Sequence, residues 1–124
     1  MQTNEIRITI KAPPEEVFEY TIEPKNTKYW VTDSVEMKTD TEQIDLGTKY
    51  SNEYATRDVI DYERDKFIEL ADVDGIYSCS YTFRKIDNDS MELIFFESNI
   101  DGSALEYPLS KKSFNKLKEI LETN

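Results

Sequence analysis

Ile6-Arg7-Ile8-Thr9-Ile10-Lys11-Ala12-Pro13-Pro14-Glu15-Glu16-Val17-Phe18 decides the fold. Its three isoleucines alternate with Arg7, Thr9 and Lys11, the period of a strand with one buried face. Pro13 and Pro14 stop that strand, because proline offers no N–H to a ladder and its fixed φ suits a first helical turn. Glu15 and Glu16 then place negative charge at the positive end of the helix dipole. Val17, Phe18, Thr21 and Ile22 fall on one helical stripe until Pro24 ends it. A second short helix, expected over 25–29, carries Trp30 to the mouth or floor of the core.

From Val31 onward the pattern is β. Strands are expected over 34–39, 48–60, 66–73, 76–86 and 91–100. Turn chemistry separates them at Leu46-Gly47, Glu63-Arg64-Asp65, Asp74-Gly75 and Asp87-Asn88-Asp89. Joins this short imply an antiparallel meander. Asp74-Gly75 is the clearest hairpin, since these residues tolerate the positive φ of a two-residue loop. The run from Thr48 is long enough to hide a bulge or bend. After Asp101-Gly102 the period changes to helical: Phe114, Leu117, Ile120 and Leu121 form a stripe, lysines occupy the rest, and Ser110 is placed to cap a helix over 110–123. That stripe needs an apolar surface, and the concave face of the sheet supplies one. The expected class is α+β, with a curved antiparallel sheet of six to seven strands wrapped around a C-terminal helix and two short helices after the first strand.

At 124 residues the chain is expected to form one domain over 1–124. A net charge of −11 argues against nucleic acid, whose phosphates are bound by clustered Lys and Arg, and against anionic membrane surfaces. No run approaches the roughly 18 apolar residues of a membrane span. Cys79 is the one cysteine, so no internal disulfide can form and a reducing cytoplasm is the expected location. The N-terminus lacks the basic and apolar regions of a signal peptide, so Asn88-Asp89-Ser90 reads as a turn rather than a glycosylation site.

The order strand, two short helices, antiparallel meander and closing helix is that of the helix-grip fold. The residues Ile6-x-Ile8-x-Ile10-x-Ala12-Pro13-x-Glu15-x-Val17-Phe18, then Trp30, Leu46-Gly47-Thr48, Phe67-Ile68 and Tyr81-x-Phe83 resemble the START-like (SRPBCC) superfamily. That superfamily includes polyketide cyclases, START lipid-transfer domains and the birch-pollen allergen Bet v 1. The resemblance runs nearly end to end. It implies a ligand cavity between sheet and closing helix, and a range of work: lipid and hormone binding, cyclisation or dehydration of polyketides, and co-chaperone contacts. Two departures stand out. The closing helix is short, and the stretch between Gly47 and Val59 is compressed where relatives have two strands. A short helix leaves room for a small pocket, an open one, or one completed by a second subunit as a homodimer.

With no histidine, the commonest general base and metal ligand is missing, and so is every Ser-His or Cys-His arrangement. Carboxylates, tyrosines and Arg57 or Arg84 remain. Glu97 is the candidate base, because it follows Met91, Leu93 and Phe95 at strand spacing. The opposite face, Ile94, Phe96, Ser98 and Ile100, is as apolar, and turning it inward would leave Glu97 in solvent, the commoner fate of a charge. Tyr50, Asn52, Tyr54 and Thr56 are expected on one strand face, and Tyr77, Cys79, Tyr81 and Phe83 on another. These faces form either an aromatic pocket wall or an ordinary core. Ligand contacts are expected from Tyr50, Asn52, Tyr54, Tyr77, Tyr81 and Phe83. Phe95, Phe114 and Leu117 complete the set, and Trp30 is assigned to the core.

No cofactor or metal is expected. Asp87-Asn88-Asp89-Ser90 begins like a calcium loop, but Glu92 stands where glycine is needed and Ser98 where glutamate is needed. Three functions stay open. The first is binding of a small hydrophobic or aromatic molecule, the second a cyclase- or dehydratase-like enzyme using Glu97 and a tyrosine, and the third a protein-interaction module.

Overall fold

A computed structural model of the chain describes residues 2–32 and 34–123. Strand β1 (Gln2–Ile10) leads into α1 (Pro14–Ile22) and a 3-10 helix (Pro24–Tyr29). Six strands follow: β2 (Lys38–Thr39), β3 (Lys49–Ser51), β4 (Thr56–Glu63), β5 (Phe67–Asp72), β6 (Tyr77–Asp87) and β7 (Ser90–Asn99). Helix α2 (Lys111–Glu122) closes the chain. The strands form one antiparallel sheet in the order β1-β7-β6-β5-β4-β3-β2. The meander thus runs from β2 to β7, and β1 pairs beside its last strand.

The opening behaves as its residues require. Ile6, Ile8 and Ile10 are all buried, and α1 buries Pro14, Val17, Phe18 and Thr21 against the sheet. Phe18 meets Phe83 edge to face with centroids 5.0 Å apart. At the other end of the fold Ser110 caps α2, its hydroxyl accepting from the Ser113 N–H at 3.3 Å. Phe114 and Leu117 are fully buried, and Phe114 packs on Phe95 and Trp30 with centroids 5.2 Å away in each case.

Helix α2 also guards the sheet edge. Lys111 Nζ donates to the Arg7 carbonyl and Lys118 Nζ to the Thr9 carbonyl at 2.7 Å, while the Lys11 N–H donates to Glu122 at 2.8 Å. The two lysine bonds occupy carbonyls of β1 that would otherwise face outward as a template for another strand.

Two strand expectations are corrected. The stretch 34–39 contributes only Lys38–Thr39. The run 48–60 is two strands joined by a tight turn, because the Asn52 side chain accepts from the N–H groups of Tyr54 at 2.8 Å and Ala55 at 3.0 Å. That pairing mimics a backbone turn and reverses the chain. The compression expected between Gly47 and Val59 is corrected with it, since both strands are present. A bulge between Val59 and Asp61 bends β4 further.

Candidate functional site

The inner face of the sheet is solid under α2 and hollow beside it. Met91, Leu93, Phe95 and Glu97 all point inward, none more than 1% exposed, so of the two faces the sequence left open, the one carrying Glu97 is the inner one. Phe83, Phe95, Phe114 and Leu117 are packed core and do not line the hollow. They sit apart from the cavity, in the core that the large side chains of α2 fill between helix and sheet.

The hollow is a cavity of about 250 Å³ displaced toward the end of α1. Its floor is Tyr50, Ile68, Leu70, Tyr77, Cys79 and Tyr81 on β3, β5 and β6. Ile22, Pro24, Trp30 and Met37 close one side, and Tyr107 and Leu109 the other. It opens into a groove of about 1410 Å³ that shares Trp30, Val31, Ser34, Asn52 and Leu109 with it and continues along α2 past Lys112 and Lys116. Four exposed large apolar or aromatic side chains, Tyr29, Val35, Tyr54 and Tyr107, border that groove. Tyr54, 75% exposed, does not share the inward face of Tyr50: the Asn52 turn throws it outward, to the groove rather than the cavity. Trp30, assigned to the core alone, is both buried and part of the cavity wall.

Glu97 sits where the cavity meets the segment before α2. Its Oε1 accepts from the Tyr77 hydroxyl at 2.7 Å. Its Oε2 accepts from Asn4 Nδ2 and from the Leu109 N–H, both at 2.8 Å. Asn4 Nδ2 donates also to the Leu109 carbonyl at 2.8 Å. One carboxylate therefore joins β1, β6, β7 and the segment that roofs the cavity. Burial of a charge is tolerable here because three donors replace its water.

Arg57 is held beside it. Its guanidinium lies 4.7 Å from the centre of the Tyr77 ring, and its Nε donates to Asp72 at 2.7 Å. The Tyr50 hydroxyl donates to the Ile22 carbonyl at 2.7 Å and ties β3 to the end of α1. Burial pushes the phenols of Tyr50, Tyr77 and Tyr81 well above their ordinary range. It pushes the Cys79 thiol up to about 11, against the opposing pull of Arg57. All four are neutral at physiological pH.

A third hollow, about 390 Å³ and acidic, lies outside Tyr77 and Glu97 near Asp74 and Asp101. Among the described residues no group of three or more His, Cys, Asp or Glu side chains is placed to hold a metal ion. Nor, among those residues, is any helix long and apolar enough to cross a membrane.

No family model and no curated protein sequence matches this chain. Solved structures do match it. A conserved protein of unknown function from Enterococcus faecalis superposes with a TM-score of 0.69 at 18% identity, over 98% of this chain and 71% of that one. The Aha1 dimer from Colwellia psychrerythraea gives 0.66 at 16% identity, over 98% and 97%. CalU16 from Micromonospora echinospora gives 0.61 at 19% identity, over 78% of this chain and only 58% of CalU16, so the match spans little more than half of that protein. Identities this low establish a shared shape alone: the chain has a helix-grip fold like that of these structures.

Proposed function

We propose that this chain binds a small hydrophobic or aromatic molecule in the cavity beside α2, as a single cytoplasmic domain. The observation that carries the reading is the hollow itself. Interiors are packed to crystal density with few voids larger than a water, yet about 250 Å³ stands open at the end of α1. By the share of liquid each water occupies, that space equals roughly eight waters, enough for a single substituted ring. Its wall has the composition of a small-molecule site, with Ile68, Leu70 and Tyr81 as body and a few polar groups at the rim.

A cyclase-like role for Glu97 has one observation in its favour, the 2.7 Å bond to Tyr77 at the cavity wall. Against it, the other carboxylate oxygen already holds Asn4 and Leu109, so proton transfer through that oxygen would break a structural clamp. An interaction role is favoured by the exposed Tyr54 and Tyr107 along the groove, and one structural neighbour is described as a dimer. Binding without chemistry is the simpler reading of a wall whose carboxylate is committed.

The test is a titration of ¹⁵N-labelled protein with single-ring aromatics, alongside native mass spectrometry of protein purified from cells. Perturbations confined to Leu70, Cys79, Tyr81 and the 107–109 segment are expected. Val31→Trp, which places bulk where the cavity joins the groove, should weaken them. A spectrum that no compound moves at these residues would end the proposal.

A further inference from the structure

Arg57 carries donors that the fold does not use. Its Nε donates to Asp72 at 2.7 Å, but neither of its Nη nitrogens makes a hydrogen bond among the described residues. A guanidinium is a planar fork of N–H donors with no acceptor, so most of this fork is left over. The head is not sealed in. Its side chain keeps 30% of its surface accessible, and of the three hollows it borders only the cavity. Its position is fixed from two sides, because Asp72 pins Nε and the guanidinium carbon lies over the Tyr77 ring, which Glu97 holds in turn. A fork held in this way presents its Nη edge in a set direction, and that edge matches a planar pair of oxygens.

The surroundings of Arg57 admit an anion. Glu97 is the carboxylate of the cavity wall, and its charge is shared among the Tyr77, Asn4 and Leu109 donors. The groove leading to the cavity has mixed charge, with Lys28, Lys112 and Lys116 beside Glu106 and Glu119, on a chain whose net charge is −11. The third hollow, by contrast, is bordered by acids without a lysine or arginine among the described residues. We infer, on the basis of the binding reading above, that the guest is a small aromatic carboxylate. Its two oxygens accept from the Nη edge of Arg57, and its ring lies against Leu70 and Tyr81. Arg57 is then the residue that sets the class of guest, and Asp72 positions it.

Labelled protein is titrated at neutral pH with three probes that share one ring: benzoate, benzamide and ethylbenzene. Benzoate should bind roughly tenfold more tightly than benzamide, since hydrogen bonds between two charged partners are about twice as strong as neutral ones. Arg57→Gln should erase that preference and leave ethylbenzene where it was, with spectral dispersion as the check on folding. Asp72→Asn keeps an acceptor for Nε and removes a competing negative charge, so it should tighten benzoate by about threefold or more. A purely structural pair would loosen instead. Arg84→Gln removes the same charge from an exposed ion pair with Glu92 and should change none of the three affinities. If benzamide or ethylbenzene binds as tightly as benzoate, the carboxylate assignment is wrong while the cavity reading stands. A benzoate preference that survives Arg57→Gln would overturn Arg57 as the anchor. If none of the three probes perturbs Leu70, Cys79 or Tyr81, the binding reading falls and this inference falls with it. The wild-type series and Asp72→Asn decide the matter even if Arg57→Gln does not fold.

Discussion

Replacing Glu97 tests whether one carboxylate holds the roof of the cavity. Glu97→Ala leaves three donors facing a gap: the Tyr77 hydroxyl, Asn4 Nδ2 and the Leu109 N–H. A buried donor stripped of its partner costs about 1–3 kcal/mol, but the gap adjoins the cavity and water can enter to satisfy part of the set. A loss of about 4 kcal/mol is expected, a large share of the roughly 5–15 kcal/mol that holds a domain folded. Glu97→Gln is gentler. With its carbonyl turned to Asn4 and Leu109, its amide can donate to Tyr77, whose hydroxyl oxygen accepts, so three bonds survive without charge assistance. Each charged bond exceeds a neutral one by about 1 kcal/mol, and relief from burying a charge offsets part of the total, leaving about 1 kcal/mol. Urea denaturation gives both values, and hydrogen exchange at the Leu109 amide locates the effect. Glu97→Ala should expose that amide to exchange more than it exposes the centre of β7. An alanine variant within 1 kcal/mol of wild type, with Leu109 still protected, would refute the clamp.

Thr21→Val removes a buried hydroxyl that has no partner while keeping the branched shape, so the melting temperature should rise by a few degrees, about 1 kcal/mol; a fall would mean the hydroxyl is satisfied. Cys79, buried with its thiol pushed up to about 11, should react with a disulfide reagent at pH 8 only as fast as the protein opens, and a prompt native-state reaction would contradict its burial. Glu122 is held below the usual carboxylate range by the Lys118 ammonium and then by the Lys11 N–H. Its contribution is therefore complete above an unfolded value near 4.5 and fades as pH falls through the lower folded value. The destabilisation caused by Lys118→Ala should accordingly be largest at neutral pH, and shrink in acid and in high salt. For Tyr50, Tyr77 and Tyr81 the sign is opposite: their phenols are raised above 10.0, so stability should fall as pH climbs past that point, and absorbance titration should show these three ionising only as the fold is lost.

The ends of the fold were legible because local chemistry decides them. Alternating isoleucines, a proline pair and two glutamates leave one reading for residues 6–18, and Ser110 with the Phe114, Leu117 and Leu121 stripe leaves one for α2. The middle was less so. Residues 48–60 carry β-forming side chains throughout, and the reversal at Asn52 is made by a side chain accepting two backbone bonds, which composition does not announce. The inward face of β7 stayed open for a different reason. Both faces of β7 are apolar, so the choice between them was made by Asn4, Tyr77 and Leu109, whose donors meet only in three dimensions. The cavity is further out of reach, because it depends on where Phe114 and Leu117 run out of volume. Thr21 was the one available signal, a hydroxyl on an otherwise apolar stripe.

The hollow and the clamp are two sides of one arrangement. The rings of Phe18, Phe83, Tyr81, Phe95 and Phe114, each packed on the next, fill the core and leave the end of α1 to be closed by other parts: the 3-10 helix, Val31, Ser34, Val35 and Met37, and Tyr107 with Leu109. A polar pin at Leu109 and the Tyr50 bond to Ile22 tie these parts to the rest of the fold. Hydrogen bonds are directional and short in reach; they fix the roof without filling the space beneath it, as apolar packing would. A guest held in the cavity stabilises the folded state by mass action, in proportion to the logarithm of its concentration over its dissociation constant. Stability and occupancy are thereby coupled through the same wall, and weakening the roof at Glu97 should loosen both together.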